Sequence, residues 1–81
     1  MVLSKLSESS KVVGAKQTKR ALTGGKAAAV YLAEDADPRV TESIRELSRE
    51  CQVPVYEVSS MKKLGQACGI SVGAAVAAQL R

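Results

Sequence analysis

Histidine, tryptophan and phenylalanine are absent from this chain of 81 residues, and Tyr31 and Tyr56 are its only aromatic side chains. Without histidine it lacks the side chain most used as a general base near neutral pH and most used as a metal ligand. Its two thiols, Cys51 and Cys68, stand 17 positions apart. Zinc asks for about four ligands at tight spacing, so no metal site is expected. Each cysteine falls beside a helix end and reads as a small buried hydrophobe, and a disulfide would be out of place in a reducing compartment. No apolar run reaches the roughly 18 residues a membrane span needs, and the opening "MVLSKLSESS" is too polar for a signal peptide. A cytoplasmic chain with no membrane partner is the expectation.

Enzymatic chemistry finds little footing. Neither thiol has a candidate base, and "GGKAAA" lacks the spacing of a phosphate-binding loop with its following Ser or Thr. Asp35 and Asp37 read as a turn residue and a helix cap, not a carboxylate pair. No catalysis, cofactor or small-molecule substrate is expected.

What is present is aliphatic and charged. Hydrophobic residues make up 46%, enough for one domain over 1–81 with one modest core. The net charge of +4 is unevenly spread. Residues 1–26 hold six Lys/Arg against Glu8, residues 27–60 hold Arg39, Arg45 and Arg49 against seven acids, and residues 61–81 hold Lys62, Lys63 and Arg81 with no acid. If the two basic ends meet in the fold, the molecule has a positive and a negative side, a pattern that attracts a polyanion in a preferred orientation.

Helical and strand patterns alternate without linker, repeat or low-complexity tract. A short helix over Leu3–Ser9 precedes a brief strand over Lys11–Val13. The stretch from Ala15 to Thr23 is helical and ends at Gly24-Gly25, suited to a left-handed C-terminal cap. "KAAAVYLAED" is a near-continuous apolar run, the mark of a central strand covered on both faces. In "DADPRVTESIRELSREC", Asp37 is a natural N-cap and Pro38 suits the first helical position. Val40, Ile44, Leu47 and Cys51 form one buried stripe at helical spacing, leaving the charges on a solvated face. "VPVYEV" is a strand, "SSMKKLGQACG" a helix with Met61, Leu64 and Cys68 inward, and "GAAVAAQL" a last strand. The expected architecture is a three-layer α/β/α sandwich around a mixed sheet of about four strands.

At about 100° per residue, Thr18, Ala21 and Leu22 of the first of these helices cluster on one side and face the sheet. Lys16, Lys19 and Arg20 lie opposite, with Gln17 on the flank. Backbone N–H groups at a helix start bind phosphate, and Lys and Gln can read base edges; a merely solvated basic face explains the same spacing. The second basic segment places Lys62 and Lys63 in a helix's first turn, followed by Gly69, Ile70, Ser71, Val72 and Gly73. Ile70 and Val72 read either as core at the start of the last strand or as an apolar cap over an unstacked base, a device of RNA recognition.

"GAKQTKRAL", "AEDADP" and "MKKLGQACGISVGAA" stand in the order and spacing of the kink-turn-binding ribosomal-protein family. The resemblance spans essentially the whole chain and is strongest to the short bacterial members of YbxF type. It implies binding to a kink-turn, an RNA duplex sharply bent at a bulge beside tandem G·A pairs. Carried over by motif, Gly14 would allow close backbone approach, Lys16 and Gln17 would reach the guanine edges, and Arg20 would contact bases or phosphate. Lys19 and Lys62 would contact phosphates, and Ile70, Ser71 and Val72 would lie over the bulge. The chain departs from archaeal and eukaryotic members, which usually carry Asn-Glu at the Lys16-Gln17 position and often an acid at Ser71. Acceptors become a cation and an amide, so the guanine contacts are not the same atom for atom.

The expected function is thus a non-catalytic RNA-binding module that stabilises a kink-turn in ribosomal RNA or a riboswitch, with the ribosome as one setting. A monomer is expected because no long exposed apolar stripe is left over. The alternative is a protein-interaction module using the acidic helix 38–50.

Overall fold

The apolar run Ala27–Ala33 forms β2, a strand with helices on both of its faces; all but one of its seven residues are buried. In the computed structural model, which describes residues 10–81, it follows β1 (Lys11–Val13) and α1 (Ala15–Thr23). It leads to α2 (Pro38–Glu50), β3 (Val55–Val58), α3 (Met61–Ala67) and β4 (Val76–Leu80). The helix expected over Leu3–Ser9 lies outside the described residues.

The four strands make one mixed sheet in the order β1-β4-β2-β3. The last strand is inserted between the first two, antiparallel to both, while β2 and β3 are parallel. Val76, Ala77 and Ala78 of β4 are fully buried. Helices α1 and α2 pack on one face, over Val30, Leu32, Val76 and Ala78, and α3 packs on the other, over Ala29, Tyr31, Ala33 and Ala77. This is the expected three-layer sandwich. A bulge at Ala28 shifts the register between Ala27–Leu80 and Ala29–Gln79, so Ala27 and Val30 share a face despite their odd spacing. Tyr31 stacks on Tyr56 with ring centroids 5.5 Å apart and donates a hydrogen bond to Gln79 Oε1.

The three helices among the described residues close with the same paired backbone bonds, those of the Schellman motif. Lys26 N–H reaches Ala21 O, Val53 N–H reaches Ser48 O and Ile70 N–H reaches Gly65 O. The left-handed residue of each closure is Gly25, Gln52 and Gly69 respectively. Asp37 caps α2 as expected, accepting from Arg39 N at 2.9 Å.

Two burial expectations need correction. On α2 only Ile44 of the expected stripe is fully buried; Val40, Leu47 and Cys51 are half-buried, while Thr41 and Ser48 are buried beside it. These two hydroxyls can be buried because each donates to a carbonyl of its own helix, Pro38 O and Ile44 O. Met61, expected inward on α3, is 36% exposed, because its backbone is held at the sheet edge while Leu64 and Cys68 fill the core.

Candidate nucleic-acid interface

The pairing directions make β1, β2 and β3 run the same way. Their C-terminal ends therefore share one edge of the sheet, and each leads directly into a helix. Hydrogen bonds stitch that edge together. Gly14 N–H donates to Val76 O at 2.8 Å, Ala33 N–H to Ala75 O at 3.0 Å and Glu34 N–H to Val58 O at 2.8 Å. Asp35 Oδ1 accepts from Met61 N at 2.7 Å. The fold thus brings the start of α1, the turn before α2, the start of α3 and the segment leading into β4 to one edge, although they are far apart in sequence.

Gly14 precedes α1 with φ 103° and ψ 154°, a region essentially restricted to glycine. An added Cβ would meet nothing within 4 Å, so the requirement for glycine comes from the backbone conformation and the space above it is open. On α1, Thr18, Ala21 and Leu22 are buried and Lys16, Gln17, Lys19 and Arg20 are exposed, as the helical spacing predicts. The structure then divides the exposed set. Gln17 and Arg20 join Lys26 around a cleft of about 240 Å³ that includes Val12, Ala21 and Leu80. Lys19 instead faces α2, lining a cleft of about 350 Å³ with Asp37, Arg39 and Ser43. Lys26, passed over in the sequence because it stands in the turn after the helix, belongs with Gln17 and Arg20.

Among the described residues, none of Lys16, Lys19, Arg20, Lys26, Lys62 and Lys63 lies within ion-pair distance of a carboxylate. The arginines of α2 behave differently: Arg39 pairs with Asp37 at 3.1 Å, and Arg45 pairs with Glu57 and, at 3.9 Å, with Glu42. The Arg39 guanidinium and then its backbone N–H hold the Asp37 carboxyl below its ordinary range. Burial pushes the Cys68 thiol up, with Lys11 opposing. Both cysteines are free, and Cys51 Sγ donates weakly to Leu22 O at 3.4 Å.

The chain after α3 completes the edge. Ser60 caps the helix by accepting from Lys63 N at 3.1 Å, and Lys62 and Lys63 are exposed. The apolar pair of the loop splits. Ile70 is half-buried against the α3-side core, whereas Val72 is 68% exposed beside exposed Ser71. A Cβ on Gly65 would stand 2.1 Å from Val72 O, so the loop lies directly on the helix. Spacing alone does not reveal Asp35, Met61 or Gly65 as parts of this edge, because each meets the chain of a distant segment: Asp35 by its carboxylate on Met61 N, Met61 by its carbonyl on Ala74 N, and Gly65 by its bare Cα under Val72 O.

Chemically, this edge and the exposed face of α1 offer cations without an ion-pair partner among the described residues, an amide, backbone N–H groups at the start of α1 and one exposed aliphatic tip. That set suits a polyanion that also presents flat apolar surface. Among the described residues no three His, Cys, Asp or Glu side chains gather as a metal site, and no helix is long and apolar enough to cross a membrane.

Fold and edge define a small α/β/α module with a basic, backbone-rich rim. The model of the ribosomal protein L7Ae/L30e/S12e/Gadd45 family matches residues 1–81, and the chain belongs to that family. An RNA-binding protein of Geobacillus sp. strain WCH70 is 57% identical over 70 residues, covering 86% of this chain and 85% of its own. The RNA-binding protein YbxF of Geobacillus stearothermophilus is 54% identical over the same shares. Among solved structures, a Giardia lamblia 15.5 kD RNA-binding protein superposes with a TM-score of 0.92 at 27% identity, covering 99% of this chain and 71% of its own.

Proposed function

We propose that this chain is a non-catalytic RNA-binding protein that recognises and stabilises the kink-turn. The observation that carries the reading is a set of exposed groups: Lys16 and Arg20 beside Gln17 on α1 and Lys62 on α3, all without an ion-pair partner among the described residues, together with exposed Val72 in the loop after α3. The family and the RNA-binding relatives support the RNA partner. Ordinary A-form major grooves are too narrow to read, and the kinked duplex exposes the guanine edges that Lys16 and Gln17 would contact. Gly14, with open space above it, would let the backbone approach. Lys19 and Lys62 would neutralise phosphates, Arg20 would contact bases or phosphate, and Ser71 and Val72, with Ile70 behind them, would cover the bulge. The protein binds the bent state better than the extended one and so shifts the RNA's population toward it.

The test is titration with a short kink-turn RNA and with the same duplex carrying Watson–Crick pairs in place of its G·A pairs, at two salt concentrations. Tight binding to the first and weak, salt-sensitive binding to the second is expected. Equal binding to both would leave only a basic face.

A further inference from the structure

Position 65 breaks a local rule. It lies inside α3, and glycine is the poorest helix former after proline. The reason is steric. A Cβ at Gly65 would lie 2.1 Å from Val72 O, 3.1 Å from Val72 C and 3.1 Å from Gly73 Cα. All three are main-chain atoms, so no rotamer change relieves the contact. The same stretch is pinned at both ends to carbonyls of this one helix: Ile70 N–H donates to Gly65 O and Ala74 N–H to Met61 O, each at 3.0 Å. Residues 70–74 are therefore a bridge spanning one turn of α3 and resting on the missing side chain of Gly65. Val72 points outward, 68% exposed, because its main chain is seated, not because its side chain is packed.

We infer that Gly65 is the positioning residue of the RNA-reading loop, setting the height at which Ser71 and Val72 are presented. The inference rests on the kink-turn reading for its functional consequence and on the backbone geometry alone for the seat. Base contacts specify and phosphate contacts position. A displaced loop therefore costs recognition of the bulge while leaving the contacts of α1 in place.

Two RNAs test this: a kink-turn with intact bulge nucleotides, and the same molecule with the bulge bases removed to leave abasic sugars. The wild-type chain is expected to prefer the first by about tenfold or more, and Val72→Ala to lose most of that preference. Gly65→Ala should bring the ratio of affinities to within about twofold of one, while retaining the preference for G·A over Watson–Crick pairs and the salt dependence. Ile44→Val, in the core on the opposite sheet face, lowers stability without touching the loop and should leave the ratio unchanged. In free Gly65→Ala, the amide NMR shifts of residues 70–74 should move while those of α1 stay. A full ratio in Gly65→Ala, or an equal loss in Ile44→Val, would overturn the inference. Should Gly65→Ala fail to fold, hydrogen exchange in the wild type decides: the Ile70 and Ala74 amides should be protected and those of Ser71 and Val72 fast. Rapid exchange at Ile70 and Ala74 would mean that the loop is not seated. A wild-type chain that binds kink-turn and plain duplex equally refutes the RNA reading instead, and the exchange result still judges the seat.

Discussion

Asp35 accepts a hydrogen bond of 2.7 Å from the backbone N–H of Met61, and that bond ties the turn after β2 to the start of α3. Met61 is gripped from the other side as well, its carbonyl accepting from Ala74 N–H. One residue thus joins the turn, the helix and the segment leading into β4. Asp35→Ala leaves an N-terminal helix donor without its acceptor and should cost about 1 kcal/mol of stability. Asp35→Asn, which keeps an acceptor oxygen, should recover most of it. Urea unfolding of the two variants checks this; equal losses would mean that charge, not the acceptor, matters.

The separation of Gln17 and Lys19 onto opposite flanks of α1 predicts different binding defects. Gln17→Ala should cost about 1–3 kcal/mol of discrimination between the kink-turn and its Watson–Crick control. Lys19→Ala should weaken binding to both RNAs and lower the slope of log affinity against log salt by about one. Equal losses from both substitutions on every RNA would sink the division of labour.

Thr18 Oγ1 is buried and lacks a hydrogen-bond partner among the described residues. An unsatisfied buried hydroxyl costs about 1–3 kcal/mol, and valine has nearly the same shape and helix propensity. Thr18→Val should therefore raise the denaturation midpoint. A fall of about 1 kcal/mol or more would reveal a partner for the hydroxyl.

Gln52 holds φ 59° at the position that Gly25 and Gly69 occupy after the other two helices. A side chain in that left-handed region costs roughly 1 kcal/mol or more, partly offset by the larger unfolded-state entropy of glycine. Gln52→Gly should stabilise the fold by up to about 1 kcal/mol, read as a rise of a few degrees in melting temperature.

The Tyr31 phenol is pushed above its ordinary value, first by burial and then by neighbouring Tyr56. A raised folded-state pKa means that the contribution is complete below the unfolded value of about 10 and is lost as pH rises through the folded one. Stability should fall on the alkaline side of about pH 10, and Tyr31→Phe should flatten that fall. Urea midpoints measured across this range would show it.

Much of this architecture was legible from local signals. The boundaries of α1, the Asp37 cap with Pro38 behind it and the burial of Thr18, Ala21 and Leu22 follow from helical spacing and cap chemistry, which act within a few residues. The spacing of Met61 matches that of Leu64 and Cys68 and so predicts an inward side chain; only its backbone bonds to Asp35 and Ala74 show why it stays at the surface. Ile70 and Val72 look alike in sequence, yet one packs on the core and the other does not. The side of α1 on which Lys19 falls could not be judged before α2 was placed beside it.

By itself the sequence determined the order of the described elements, the Asp37 cap, the glycine closure of α1 and the uneven charge, because the caps depend on neighbours within about two helical turns. Tertiary structure decided that β4 slots between β1 and β2, which brings Gly14, Asp35, Lys62 and Val72 to one edge. It also decided that position 65 must be glycine, since no pattern within α3 announces that the main chain of Val72 comes to rest on it. Contacts between segments distant along the chain are set by how the sheet is assembled, and a linear pattern does not carry that information.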